Sequence, residues 1–132
     1  MEITDQHTCP FCNLDGTRVI HANGHALAIY DGFPVTLGHS LVIPKRHVAS
    51  FFETTREEQT AMLELLTEMR ELLQKEHNPD GFNIGINDGT AAGQTVMHVH
   101  IHLIPRYAGD TEDPRGGVRW IMPKKAQYWE TL

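Results

Sequence analysis

Residues 93–106 read Gly-Gln-Thr-Val-Met-His-Val-His-Ile-His-Leu-Ile-Pro-Arg. Within it, His98, His100 and His102 alternate with apolar residues. Strict alternation over this length predicts a β-strand, because successive side chains of a strand point to opposite faces of the sheet. The apolar residues would then face a core, and the three imidazoles would share the other face about 6–7 Å apart. That spacing lets two or three rings contact one phosphate group.

A row of three histidines is not typical of a protein core, because each buried imidazole must find hydrogen-bond partners or lose roughly a few kcal/mol. Histidine titrates near neutrality, so it can act as nucleophile, acid or base at cellular pH. An alternative interpretation is a metalloenzyme that holds one catalytic zinc on all three rings. Same-face neighbours are spread too far for bonds of about 2 Å to converge easily on one ion.

The chain has 132 residues and a formal net charge of −6. This length fits one domain that buries a core without disulfides. The negative balance argues against binding to extended nucleic acid, which needs a basic face, but not against a small anionic ligand. No apolar run is long enough for a membrane span, and the first residues lack the features of a signal peptide. We therefore expect a cytoplasmic protein without membrane or nucleic-acid partners.

Cys9 and Cys12 are the two cysteines, in the sequence Cys-Pro-Phe-Cys. In a cytoplasmic chain this spacing indicates metal or redox chemistry more than a structural disulfide. The pair looks like half of a tetrahedral zinc site, for which His47 and His98 are candidates as the other two ligands. A redox dithiol and two plain free thiols are the competing interpretations, although no helix start follows Cys9 as in thioredoxin-like sites.

The rest of the pattern predicts a sheet and one long helix. Thr55 and Glu58 form a capping box, and apolar residues at helical spacing predict a helix over residues 54–77. A short helical turn is expected over residues 48–52. After the triad strand, we expect no regular secondary structure until residues 120–123. Strands are predicted over residues 18–21, 26–30, 39–43 and 82–87, with the triad strand as the fifth. This order indicates an α+β fold with a mostly antiparallel sheet.

The residues from His98 to Ile104 follow the pattern His-φ-His-φ-His-φ-φ, in which φ is apolar. The pattern resembles the signature of the histidine triad (HIT) family. Within the family, the chain is most similar to the zinc-binding bacterial-type members and the dinucleoside polyphosphate hydrolase-like members. Residues 87–106 and a second block at 31–47 extend the resemblance over most of the chain up to about residue 109. It implies a five-stranded, mainly antiparallel sheet with one long helix packed on it, continued across a homodimer.

We predict a single HIT domain over residues 1–132, with a zinc-binding N-terminal arm at 1–16 and a C-terminal extension at 108–132. Some members of the family carry zinc on two cysteines and two histidines at matching positions. Closed four-ligand coordination leaves no position for water, so this zinc would be structural. The ligands that the resemblance implies are Cys9, Cys12, His47 and His98.

The resemblance also implies the residues of an active site. His100 would attack the α-phosphorus of a nucleotide and form a covalent nucleotidyl-histidine, which water hydrolyses. A backbone carbonyl near the first histidine of the row would set its tautomer. His102, supported by His39, would contact the phosphate oxygens, where charge builds up in the transition state. The nucleotide-binding residues would be Asp31, on the ribose hydroxyls, Asn87, Gln94 and Thr95.

These residues predict a nucleotide hydrolase or transferase that cleaves at the α-phosphate. The substrate would be a dinucleoside polyphosphate, a nucleotidyl phosphoramidate or another nucleotidyl conjugate. A nucleotide-binding signalling or scaffold protein with incidental catalysis needs the same pocket and is the alternative. The intact triad favours the enzyme.

Overall fold

The computed structural model describes residues 5–132 and forms one antiparallel sheet of five strands. The first four residues of the predicted arm lie outside the described residues. The strand order is β1-β2-β3-β5-β4, and every neighbouring pair is antiparallel. The strands are β1 (Val19–Ala22), β2 (Ala26–Tyr30), β3 (Ser40–Pro44), β4 (Gly81–Ile86) and β5 (Ile101–Arg106). The predicted α+β class and antiparallel sheet are confirmed.

The long helix α1 (Arg56–His77) begins with the predicted capping box. The hydroxyl of Thr55 accepts from the backbone N–H of Glu58 at 3.0 Å, and the Glu58 carboxylate accepts from the N–H of Thr55 at 2.8 Å. The helix starts two residues later than predicted, because Thr55 is its cap rather than its first turn. Asn78, at φ +48°, ends it in the left-handed conformation that asparagine tolerates.

The remaining helical elements are short. A four-residue helix α2 spans Pro123–Ala126. The predicted turn at 48–52 forms slightly later, as a 3₁₀ segment at Phe51–Glu53. Other 3₁₀ segments are Gly16–Arg18, Thr90–Ala92, Gly117–Ile121 and Tyr128–Thr131. Among the helices of residues 5–132, none has the length and apolarity to cross a lipid bilayer.

One face of the sheet packs on α1 and forms the main core. The apolar stripe of the helix lies against alternate residues of the central strands, which leaves the other residues of each strand on the opposite face. The fully buried members of this core include Ala28, Val42, Met62, Leu65, Met69, Leu73 and Leu103. The helix therefore buries one side of the sheet and leaves the other side available for a site.

The opposite face, here called the open face, is covered at its two ends by the chain termini. Ile29, Leu41 and Ile43 pack beneath Phe11 and Leu14 of the N-terminal arm. At the other end, part of the segment 110–120 lines a cleft together with Asn83 of β4 and with Ile104 and Arg106 of β5. The histidines occupy the strip between these two covers.

The triad is not one continuous strand. β5 begins at Ile101, so His98 and His100 lie before it, and the prediction of a strand through His98 was wrong at its start. The reason is a different partner: the N–H of Val99 donates to the carbonyl of Val48 at 2.8 Å, outside the β3–β5 ladder. Within β5 the predicted alternation is confirmed, because Ile101 and every second residue after it are buried.

The C-terminal extension carries more structure than the sequence indicates. Its first 3₁₀ segment begins at Gly117, before the predicted residues 120–123. Arg106 attaches the segment to the sheet, since its guanidinium donates to Asn83 Oδ1 at 2.6 Å and to both carboxylate oxygens of Asp110 at 2.8 Å. The contact with Asn83 joins residues that are far apart in the sequence, so no local pattern predicts it.

Candidate active site and metal centre

Four potential metal ligands meet between the N-terminal arm and the segment before β5. Cys9 Sγ lies 3.6 Å from Nδ1 of His98. Cys12 Sγ lies 3.5 Å from that nitrogen and 3.2 Å from Nδ1 of His47. All four ligand atoms lie within 4.8 Å of one another. The structure thus brings together the four residues that the sequence predicts as zinc ligands.

The spacing and protonation of these atoms fit a tetrahedral zinc ion. Zinc bonds of about 2.3 Å to sulfur and about 2.0–2.1 Å to nitrogen place neighbouring ligand atoms about 3.3–3.8 Å apart. The sulfur–nitrogen distances here are 3.2–3.6 Å. Nε2 of His98 donates to the carbonyl oxygen of Pro44 at 2.7 Å, so Nδ1 keeps its lone pair for the metal. Two thiols and two imidazoles make a closed structural set.

The cysteines do not have the character of a redox pair. Burial, together with the neighbouring thiol of Cys9, raises the pKa of Cys12 to about 11. A reactive dithiol needs the opposite shift, since the thiolate is the nucleophile. In a zinc site the metal supplies the positive charge that ionises both thiols.

His100 is held in the form that a nucleophile requires. Its Nδ1 lies 3.0 Å from the carbonyl oxygen of His98, which can only accept, so Nδ1 carries the proton and Nε2 keeps the lone pair. The ring is only 9% exposed and packs edge-on against Phe11 and His102, at centroid distances of 5.1 and 5.0 Å. Burial lowers the pKa of His100 and keeps the ring neutral at pH 7.

A short hydrogen-bonded chain sets the protonation of His39 and His102. The backbone N–H of Val35 donates to Nδ1 of His39 at 3.1 Å, so the proton of this neutral ring is on Nε2. That Nε2 lies 2.9 Å from Nδ1 of His102 and 3.4 Å from Oδ2 of Asp31. Because His39 donates there, Nδ1 of His102 accepts and its Nε2 carries the proton. Burial, and after it His100 and His39, lower the pKa of His102 to about 4.

Asp31, His39 and His102 form the second group of closely spaced potential metal ligands. Their protonation disfavours a metal ion. Nε2 of His39, the nitrogen that faces the other two residues, carries a proton and has no lone pair to donate. This cluster therefore transmits the backbone hydrogen bond of Val35 to His102, whereas the cysteine cluster presents lone pairs.

Two of the predicted nucleotide-binding residues lie beside His100 or in the loop that leads to it. Ile86 pairs with Ile101 in the β4–β5 ladder, so continuing that register places Asn87 beside His100, one step beyond the ladder. Asn87 and Thr95 are both exposed. Their side chains are therefore available to a ligand that approaches the open face.

Gln94 is engaged with the backbone in this structure. Its Oε1 accepts from the N–H of Gly89 at 2.8 Å, and its Nε2 donates to the carbonyls of Ala49 at 2.8 Å and Val96 at 3.0 Å. Both amide hydrogens are used in these bonds. Gln94 thus holds the loop that carries Thr95 rather than presenting a donor of its own.

Comparison with known proteins agrees with this geometry: residues 15–109 match the HIT domain family. The chain belongs to this family. An uncharacterised HIT-like protein of Mycoplasma pneumoniae is 40% identical over 105 residues, which span 76% of this chain and 73% of that protein. The predicted family is confirmed.

Two solved HIT structures have a similar fold. A zinc-bound histidine triad family protein from Mycobacterium smegmatis has a TM-score of 0.72 and 31% identity, covering 97% of this chain and 100% of that chain. The diadenosine triphosphate hydrolase of Plasmodium falciparum has a TM-score of 0.71 and 27% identity, covering 89% and 77%. The predicted five-stranded antiparallel sheet with one long helix is confirmed as a HIT fold. HIT proteins are in general nucleotide hydrolases or transferases and bind nucleotide substrates.

Two residues of this HIT site were missed by sequence reasoning. Phe11 stands between Cys9 and Cys12, and the centroid of its ring lies 5.8 Å from that of His98 and 5.1 Å from that of His100. Its place within the Cys-Pro-Phe-Cys unit was a usable signal. Val35 donates its backbone N–H to His39. Every residue except proline has such an N–H, so the residue type could not predict this contact.

Proposed function

We propose that this HIT protein cleaves nucleotidyl substrates at the α-phosphate through a covalent nucleotidyl-histidine on His100. The observation that carries the proposal is the hydrogen bond from Nδ1 of His100 to the carbonyl of His98. It fixes the proton on one nitrogen and leaves the other nitrogen free to attack. Within residues 5–132, Nε2 of His100 forms no hydrogen bond that would occupy its lone pair.

In the first step, the Nε2 lone pair of His100 forms a bond to the α-phosphorus. The bond from phosphorus to the leaving group breaks, and its electron pair departs with that group. The ring is then a cationic N-phosphoryl imidazole, whose Nδ1–H still donates to the carbonyl of His98. In the second step a water oxygen attacks the phosphorus and loses one proton to the solvent, the electron pair of the P–N bond returns to Nε2, and the nucleoside monophosphate is released.

His102 stabilises the charge that develops on the phosphate. Its Nε2–H is set by the chain from Val35 through His39, so a donor is in place before the substrate binds. A preorganised donor of this kind stabilises the transition state without reorganisation. Thr95 adds a hydroxyl donor from the neighbouring loop.

We assign the nucleoside to the side of the site formed by Asp31. Its Oδ1 accepts from the N–H of Phe33 at 2.8 Å, which orients the carboxylate, and Oδ2 lies near His39. A carboxylate is a suitable acceptor for two ribose hydroxyls. Asn87 would contact the phosphate from the β4 side, with Gln94 holding the loop between them.

Zn²⁺ would be held by Cys9, Cys12, His47 and His98. Its chemistry there is structural, because four protein ligands leave no position for water or substrate. The zinc would join the N-terminal arm to the segment whose carbonyl orients His100.

We also propose that the protein is a homodimer that joins two sheets through β4 (Gly81–Ile86). This strand lies at the edge of the sheet, and Ile84 on it is 51% exposed. An unpaired edge with an apolar side chain is a suitable surface for strand pairing. Light scattering of the purified protein should give twice the mass of the chain, whereas the mass of one chain would contradict the proposal.

The experiment that tests the function compares His100→Ala with His25→Ala, a change of an exposed histidine outside the site. With a dinucleoside polyphosphate as substrate, His100→Ala should lose turnover and still bind the nucleotide, while His25→Ala should match the wild type. Turnover by His100→Ala at the wild-type rate would rule out the proposed nucleophile.

A further inference from the structure

A cleft lies on the open face, and Ile104 in its lining follows His102 on the same face of β5. Its volume is about 450 Å³. One wall is the sheet, and the other wall is the C-terminal segment that covers β4 and β5. The lining residues used below are Val35, Asn83, Ile104, Arg106, Asp113 and Trp120.

The cleft is contiguous with the candidate active site. His102, Ile104 and Arg106 alternate on one face of β5, so Ile104 at the floor of the cleft lies about 6–7 Å along the strand from His102. Val35, on its rim, is the residue whose N–H holds His39. Gly85 pairs with His102 across the ladder, and a Cβ built there would meet no atom within 4 Å. The surface beside His102 is therefore unobstructed.

The outer wall lies beyond residue 109, where the match to the HIT domain family ends. Gly117 brings the wall close to β4, where a Cβ would lie 3.2 Å from Nδ2 of Asn83. Arg106 binds the wall to the sheet through Asn83 and Asp110. The shape of the cleft thus depends on the segment that follows the matched HIT domain.

The chemistry of the cleft suits a flat ring with polar edges. The indole Nε1–H of Trp120 donates to the carbonyl oxygen of Arg115 at 2.8 Å, which fixes the orientation of the ring. The residue is still 39% exposed. Val35 and Ile104 add apolar surface, and Asn83 adds an amide. The one cation that lines the cleft, Arg106, is already paired with Asp110, and Asp113 adds a second carboxylate. A terminal phosphate would find no unpaired cation among these lining residues.

We propose that this cleft binds the base of a second nucleoside, the one carried by the leaving group of a dinucleoside polyphosphate. The proposal rests on the proposed function, because it takes His100 as the point of attack and places the departing half beyond His102. The base would stack on Trp120, an interaction that tolerates any base because each has a π-face. The C-terminal segment would then be what makes this HIT protein prefer two-nucleoside substrates.

The test measures binding rather than turnover, in a His100→Ala background that leaves the ligand intact. Calorimetry compares diadenosine tetraphosphate with AMP as probes, and Trp120→Ala is the variant. We expect it to weaken diadenosine tetraphosphate about tenfold, in line with the loss of one base–aromatic stack, and to leave AMP within about twofold. Trp120→Phe should recover most of the loss. Val118→Ala, an exposed residue of the same segment outside the cleft lining, is the matched control.

An equal loss for both ligands, or no loss for either, would overturn the cleft assignment and leave the proposed function standing. If diadenosine tetraphosphate and AMP both fail to bind the parent His100→Ala protein, the proposed function and the cleft assignment fail together. If only AMP binds, the assignment of the leaving-group base alone is wrong.

Discussion

The molecule contains two clusters built from similar side chains that have opposite arrangements of protons. In the cluster of Cys9, Cys12, His47 and His98, the imidazole of His98 donates through Nε2 to a backbone carbonyl, so its lone pair faces the thiols. In the cluster of Asp31, His39 and His102, a backbone N–H donates to His39, so a proton faces the neighbouring groups. One set of atoms can bind a cation, and the other passes a hydrogen bond to a ring.

The backbone, rather than the residue type, decides which ring nitrogen of each histidine carries the proton. Pro44 offers a carbonyl, and Val35 offers an N–H, and the tautomer of the adjacent ring follows in each case. His100 obeys the same rule through the carbonyl of His98. In the proposed function the triad is therefore divided: its first ring would serve the metal cluster and its other two would face the substrate.

The largest expected effect concerns metal content. Cys12→Ser should reduce zinc from one ion per chain to none and lower the free energy of unfolding by roughly several kcal/mol, because metal binding is coupled to folding. Asp31→Asn should leave the zinc content unchanged. In the cluster of Asp31, His39 and His102, the ring nitrogen of His39 that faces the other two residues carries a proton and has no lone pair for a metal. Metal analysis after purification without added zinc, together with denaturant unfolding, measures both. Zinc retained by Cys12→Ser, or lost from Asp31→Asn, would contradict the division.

A smaller loss is expected when the hydrogen-bonded chain to His102 is broken. His39→Leu should lower kcat by about 10–100-fold, the range typical of partners that orient a functional ligand. His39→Gln should keep more activity, because an amide can accept from Val35 and donate to His102 as the imidazole does. Steady-state kinetics on a dinucleoside polyphosphate decides between them. Equal activity of the Leu and Gln variants would show that His39 acts by volume alone.

Phe11 connects the two clusters through its contacts with His98 and His100. Phe11→Ala should lower kcat by roughly 5–10-fold while zinc content stays at one per chain, because the nucleophile loses a packing wall and no ligand is removed. Phe11→Leu should restore part of the rate. Zinc loss in Phe11→Ala would instead make this residue a support for the metal arm.

The smallest effect concerns stability in acid. The pKa of His102 is lowered to about 4 in the folded protein, against 6.5 for the free side chain, mainly by burial. The unfolded chain therefore binds the proton first, and stability that is complete above pH 6.5 is lost as the pH falls toward 4. His102→Gln should remove on the order of 1 kcal/mol of this loss at about pH 5.5. Denaturant unfolding of both proteins across this pH range is the measurement, and parallel curves would refute the assignment.

Local signals predicted the fold well. Residues 26–30 form β2 with the predicted bounds, and the Thr55–Glu58 capping box is present. Both depend on alternation or on contacts within one helical turn. The start of β5 at Ile101 could not be predicted in this way, because the segment before it bonds to Val48, far away in the sequence.

The residues of the site could be predicted from the sequence, but the tautomers of its histidines could not. Cys9, Cys12, His47 and His98 were identified from spacing and family resemblance, and the structure brings them together. The acceptors and donors that set each tautomer are backbone groups, which every residue carries. The cleft beside His102 depends in part on the hydrogen bond from Arg106 of β5 to Asn83 of β4. This contact could not be predicted without the tertiary structure.

The central claim is that His100 carries the nucleotidyl group during turnover. The most direct test is rapid quenching of a single turnover with a dinucleoside polyphosphate labelled at the α-phosphate, followed by peptide mapping under conditions that preserve the P–N bond. We expect transient label on the peptide that contains His100, at the imidazole of that residue. Label on His102, or no protein-bound label at any time before product appears, would contradict it.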